Sequence, residues 1–246
     1  SAGTVEYIGQ EFENDAFLKL IQYNAEEISI HANEKLQDCN LKINQKFVNW
    51  VDITGIHQAH LIDNIGKTFG LHPLLIEDIL NTTQKPKFEY FEEDSIIFLI
   101  LKVPRIENET NEIDFEHIAI LLSQKFVLSF QEMDKNDVFE PILTRLNKTP
   151  SKTRKHKSDY LFYSMLDIVV DNYYLVSNKI EEILSQLELE ILKDAKADHQ
   201  KTLFFLKKEI IQLKKSLLPT KELLNLLIRE NNVLISKENK IYIRDV

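Results

Sequence analysis

From Phe162 onward the chain keeps a single apolar seam. Phe162, Leu166, Val169, Tyr173, Val176, Ile180, Ile183, Leu187 and Ile191 follow one another at steps of 4, 3, 4, 3, 4, 3, 4 and 4. Steps alternating between three and four bring side chains back to one side of an α-helix, so this stretch predicts a long helix with a coiled-coil-like face. After the polar link Lys193-Asp194-Ala195-Lys196-Ala197-Asp198 the spacing resumes at Leu203, Leu206, Ile210, Leu213 and Leu217, then at Leu224 and Leu227. Two helices of about thirty residues, each about 45 Å long at 1.5 Å per residue, joined by so short a link, pack most simply antiparallel. Glu181, Glu182, Glu188 and Glu190 on the first helix are expected to pair with Lys207, Lys208, Lys214 and Lys215 on the second, and Pro219 to kink or interrupt the second helix. Glycine usage agrees with this division: all five glycines (Gly3, Gly9, Gly55, Gly66 and Gly70) precede the tract.

The first half switches pattern often. Phe17 to Ile21 and Phe47 to Val51 read as short strands; Leu61, Ile62, Ile65 and Phe69 have helical spacing, with Gly70 where a C-cap would fall. His72-Pro73 restarts a short helix through Leu80, with proline in the first turn, where a missing N–H costs least. Ile96 to Val103, Ile118 to Leu122 and Phe126 to Phe130 are strand-like, and Asp137 to Leu146 returns to helix. Strands and helices interleave, so this half is an α/β unit.

Composition removes several classes of function. Acids outnumber bases 39 to 30, giving a net charge of −9, which disfavours a general binder of nucleic-acid phosphates. The basic cluster Lys152, Arg154, Lys155, His156 and Lys157 is short and reads as a solvated lead-in to the long helix. Cys39 is the one cysteine, so neither an intramolecular disulfide nor a cysteine-built zinc cage can form. The longest apolar run is Ile96 to Leu101, far below the ~18 residues a membrane helix needs. Ser1-Ala2 at the start reads as the remnant of a cleaved tag, and Tyr242-Ile243-Arg244-Asp245-Val246 as an element cut midway. No phosphate-binding glycine loop and no GxSxG elbow occurs, and the expectation is a protein that is not an enzyme.

Two groups could hold a metal. His57, His60 and Asp63 are three apart and would share a helix face, with His72 further on; surface or cap histidines are the favoured reading. The carboxylates are the other group. Glu77 and Asp78 sit about 100° apart on the short helix after Pro73, Asp167 and Asp171 form a like-charged i, i+4 pair on the long helix, and Asp245 lies at the end. A hard divalent cation relieves such repulsion, but from the residues alone ordinary exposed acids are the favoured reading.

The stretch Phe69-Gly70-Leu71-His72-Pro73-Leu74-Leu75-Ile76-Glu77-Asp78-Ile79-Leu80, followed by Gln84-Lys85-Pro86-Lys87-Phe88-Glu89, resembles the cytosolic signature of the CorA family of divalent cation transporters. Trp50-Val51-Asp52-Ile53, Ala119-Ile120-Leu121-Leu122, Phe130-Gln131-Glu132, Asp159-Tyr160-Leu161 and Val170-Asp171-Asn172-Tyr173 keep that family's order, and Lys85 stands where an arginine is usual. The family's Gly-Met-Asn pore motif is absent, since no glycine precedes methionine. The resemblance therefore implies a cytosolic domain without its pore helices, on the cytoplasmic side of the inner membrane, reaching the membrane only through those helices.

The fold expected is an N-terminal αβα-layered domain with a mixed sheet over residues 1–150, a long antiparallel helical hairpin over 151–235, and the start of a stalk helix over 236–246. By resemblance the domain works in a homopentamer, sensing Mg2+ through carboxylates at subunit interfaces that hold the pore closed. Matched residue by residue, these are Glu77, Asp78, Asp167 and Asp245. Mg2+ is the implied regulatory and transported ion, with Co2+ or Zn2+ as further possibilities. A zinc transporter of the ZntB kind and a soluble coiled-coil adaptor are the alternative readings.

Overall fold

The computed structural model describes residues 5–10, 12–32, 35–132, 137–148, 151, 153–194 and 197–246. Its centre is a seven-stranded sheet built from β1 (Phe17–Tyr23), β2 (Ile28–Ala32), β3 (Val48–Thr54), β4 (Lys87–Phe91), β5 (Ile96–Ile106), β6 (Ile113–Leu122) and β7 (Val127–Gln131). The strand order is β2-β1-β3-β7-β6-β5-β4; β3 and β7 run parallel and every other neighbouring pair is antiparallel. The sheet is therefore mixed, as expected. β2 and β4 occupy its two edges. Both are half-covered five-residue strands, too short and too weakly apolar to stand out in the sequence.

Helices cover both faces. α1 (Leu36–Lys42), α2 (Ala59–Phe69) and α3 (Pro73–Leu80) lie on one; α4 (Glu140–Asn147), α5 (Ser158–Lys193), α6 (Ala197–Arg229) and α7 (Lys237–Asp245) lie on the other. Alternate residues of a strand feed alternate cores. Along β5, Ile97, Leu99, Leu101 and Val103 join the α5 side, while Ile96, Phe98 and Ile100 join the α2/α3 side. A strand buried on both faces has no polar side, which explains the unbroken apolar run there.

The hairpin is antiparallel. Glu190 approaches His199 across the turn, and seventeen residues back along α5 the Tyr173 hydroxyl meets Ser216 Oγ at 2.6 Å, seventeen residues on along α6. The expected glutamate–lysine ladder does not form among the described residues: Lys179 pairs with Glu182 on its own helix, and across the hairpin Glu190 meets His199 rather than a lysine. The reason is facing: Lys207, Lys208 and Lys215 line a cavity with the loop residues Thr83 to Pro86, Lys102 of β5 and Phe115 of β6. α6 also runs through Pro219 without interruption. Neighbouring Thr220 turns its hydroxyl back to the carbonyl of Ser216 at 3.0 Å, keeping that turn closed. The basic cluster is not simply solvated. Arg154 is buried and His156 stacks on Tyr160 with ring centroids 4.0 Å apart; Lys152 lies outside the described residues.

Candidate metal centre

α3 owes its place to caps at both ends and to a close approach by α2. Gly70 ends α2 in the left-handed region (φ 68°), a conformation open to glycine, and turns the chain into His72. His72 Nδ1 then accepts from the backbone N–H of Leu74 at 3.2 Å, with Pro73 in the first turn. A Cβ at Gly66 would sit 2.6 Å from Ile76 Cδ1, so the absence of a side chain lets the two helices meet. At the C-terminal end, buried His117 of β6 donates from Nε2 to the carbonyl of Ile79 at 3.1 Å, and Lys102 of β5 donates to the carbonyl of Thr82. Burial, reinforced by the Lys102 ammonium, pulls the His117 pKa down to about 3.

Leu75, Ile76, Ile79 and Leu80 fill the core, which leaves Glu77 exposed and Asp78 half-buried at the edge. Glu77 lines a small cleft of about 100 Å3 with Asp63, Lys67 and Val5. Asp78 is fully engaged: Gln84 Nε2 donates to one oxygen at 2.6 Å and Lys87 Nζ to the other at 2.5 Å. Burial pulls the Lys87 pKa down, but its hydrogen bonds to Asp78 and Glu89 outweigh that and leave it above the ordinary lysine value. Lys87 is thus a built-in counter-ion that any cation at Asp78 must displace.

Asp167 and Asp245 come together elsewhere. Ser236 caps α7 by accepting from the N–H of Asn239, and the N–H of Ser236 donates to Asp159 of α5 at 2.9 Å. Tyr242 packs on Tyr163 (5.4 Å between centroids) and edge-on against Tyr160 (5.9 Å), locking α7 along α5. This sets Asp245 within electrostatic reach of Asp167. Burial, then repulsion from Asp171 and Asp245, raises the Asp167 pKa above the ordinary aspartate value, only partly offset by Arg145 and Tyr163. Burial together with the Asp167 charge lifts the neighbouring Tyr163 hydroxyl to about 12. The face is under-neutralised, and its oxygen donors suit a hard cation such as Mg2+.

The two groups do not meet in one chain. α3 belongs to the core on one side of the sheet, while α7 packs through Ile243 into the core on the other. Among the described residues no three His, Cys, Asp or Glu side chains converge as a metal cage. The histidine pair does not share a helix face, because α2 begins only at Ala59. His57 lies before it, its Nε2 2.9 Å from the carbonyl of Asn14, while His60 contacts Asn64 on the exposed side of α2. Sequence spacing missed Gln84 and Lys87 as partners of Asp78, since a turn and a strand start separate them from α3. It also missed the buried Asp52, which accepts from Ser129 Oγ (2.6 Å) and Gln131 Nε2 (2.9 Å); burial and nearby Asp137 raise its pKa to about 6.

Among the described residues no helix is long and apolar enough to cross a membrane. The family model described as "CorA-like Mg2+ transporter protein" matches residues 45–246. The cobalt/magnesium transport protein CorA of Thermotoga maritima is 33% identical over 244 residues, covering 99% of this chain and 68% of that protein. The soluble domain of CorA from Methanocaldococcus jannaschii superposes with a TM-score of 0.73 at 18% identity, over 93% of this chain and 85% of that one. The ZntB cytoplasmic domain from Vibrio parahaemolyticus gives 0.69 at 14% identity, over 93% and 87%, which shows a common fold and nothing about the ion. The family match over most of the chain and the Thermotoga identity carry the assignment: this chain belongs to the CorA-like Mg2+ transporter family.

Proposed function

We propose that the chain is the cytosolic regulatory domain of a CorA-type Mg2+/Co2+ transporter, and that Glu77 and Asp78 of one subunit face Asp167 and Asp245 of the next within a homopentamer. The observation that carries this reading is the placement of two acidic half-sites on opposite sides of one sheet, so that a site containing both needs a second copy. The crowded Asp167 face supplies the physical reason for a cation: like charges there repel until one is bound. Two or three carboxylates with retained water make a weak site for Mg2+, and a millimolar dissociation constant corresponds to about 4 kcal/mol. A sensor of an abundant ion works in that range. Bound ion bridges the subunits and favours the closed pore; its loss lets them move apart, the differential affinity for two states that any ligand-driven shift requires.

The test is Asp78→Asn with Asp245→Asn in the full-length protein, read as Mg2+-dependent protection from proteolysis. Protection is expected to need about tenfold or more higher Mg2+, since each carboxylate lost removes a directly bonded charge. Protection at unchanged Mg2+ concentration counts against these residues as the sensor. The histidines give no support to a zinc-selective reading, because His57 and His60 turn to different partners.

A further inference from the structure

Between α6 and the loop joining α3 to β4 lies an open cavity of about 750 Å3. Five lysines line it (Lys85, Lys102, Lys207, Lys208 and Lys215), and among the described residues no aspartate or glutamate does. That is a pronounced local excess in a chain with 39 acids against 30 bases. Among the described residues Lys85, Lys207, Lys208 and Lys215 enter no ion pair with a carboxylate. Lys102, at the back, is held by the carbonyl of Thr82 and by His117 Nδ1, and burial lowers its pKa to about 8. Lys102 also feels the charges of Glu132 and Asp114, so the four exposed ammonium groups are the ones open to an anion.

The rest of the lining is apolar. Phe204 (64% exposed) and Ile211 (45% exposed) project from α6, and Phe115 and Pro86 face them. An exposed phenylalanine beside unpaired lysines offers an aromatic shelf and a polyanion seat together. The volume lies within the roughly 300–1,000 Å3 of small-molecule sites. We propose that this cavity binds a nucleoside polyphosphate, its base against Phe204 and its phosphates among Lys207, Lys208, Lys215 and Lys85. The phosphates are held by ammonium point charges, which explains why no glycine-rich phosphate loop is needed. An occupant also reaches the acidic site: Gln84 lines the cavity and donates its Nε2–H to Asp78 at 2.6 Å. The proposal does not rest on magnesium sensing, and its test contains no divalent ion.

The experiment is calorimetric titration of this chain in EDTA with ATP, with inorganic tripolyphosphate and with adenosine. ATP is expected to saturate below about 1 mM, and Lys207→Glu with Lys208→Glu to weaken it by about tenfold or more. Both lysines are exposed, so the variant keeps its core. Lys214→Glu, on the same helix but outside the cavity, is expected to leave binding within about twofold. Tripolyphosphate should bind about fivefold or more weakly than ATP, and Phe204→Ala should close that gap. Unchanged ATP binding in K207E/K208E, an equal loss in K214E, or no ATP binding overturns the proposal. Tripolyphosphate binding as tightly as ATP overturns its nucleoside part. If sedimentation shows that K207E/K208E abolishes self-association while ATP never binds, the lysines face a second copy and the proposal fails.

Discussion

His117 is wholly buried, and its two ring nitrogens have opposite duties. A carbonyl can only accept, so Nε2 carries the hydrogen donated to Ile79; an ammonium can only donate, so Nδ1 accepts from Lys102 at 3.2 Å. A second proton on the ring breaks the Lys102 bond and buries a charge. With the folded pKa near 3 and an unfolded value near 6.5, the unfolded chain binds the extra proton between those limits. The stability contributed by neutral His117 is therefore present above pH ~6.5 and falls as pH drops, by about 1.4 kcal/mol per pH unit. Asp52 and Glu116 act in the opposite sense: burial raises them to about 6 and about 8, and their contribution is lost as pH rises. Denaturant titrations of the wild type and His117→Gln cancel those two, and the wild type should lose stability faster than the variant from pH 6.5 to 5. Lys87 carries a second expectation at this scale. Lys87→Met frees Asp78 from its 2.5 Å counter-ion, so half-maximal Mg2+ protection of the full-length protein should shift to about tenfold lower concentration.

α7 is held along α5 by few but well-placed contacts: Ile243 is buried, Tyr242 packs into the tyrosine cluster, and Ser236 closes the first turn. A nine-residue helix is marginal alone, so its order comes from this docking. Tyr242→Ala should cost about 1–2 kcal/mol. Amide exchange over residues 237–245 should accelerate while β5 and β6 keep their protection; exchange rising equally across the sheet would mean that α7 is part of the main cooperative unit. The long helices were legible because their apolar steps persist for many turns, and α3 because His72-Pro73 marks its start. The edge strands were not, since β2 and β4 present only half-covered five-residue segments. The hairpin charges were misread because spacing tells which residues share a face, not what that face meets: Lys207 and Lys208 turn to the cavity.

At the scale of the molecule the sheet acts as a partition. Because α3 and α7 lie on opposite sides of it, the proposed ion site joins unlike surfaces, a head-to-tail contact of the kind that builds a ring when its rotation closes. Complementation tests this directly. Full-length protein carrying Glu77→Gln/Asp78→Asn keeps the α7 half-site, and protein carrying Asp167→Asn/Asp245→Asn keeps the α3 half-site. Each alone should lose Mg2+-dependent protection, and co-expression should recover part of it, since some neighbours then join two intact halves. No recovery would contradict the inter-subunit arrangement.

The sequence by itself determined the α/β first half, the long hairpin, the short helix that presents Glu77 and Asp78, and the family to which these belong. These follow from local periodicity, capping residues and ordered motifs, all written along the chain. Only the tertiary structure decided which acids are neighbours. Asp167 and Asp245, 78 positions apart, are brought together by the tyrosine cluster, whereas Asp78 spends its charge on Lys87 and Gln84. The lysine-lined cavity likewise joins α6 to a loop more than a hundred residues earlier. Coulomb interaction depends on distance in space and on burial, and neither quantity is set until the helices have packed on the sheet.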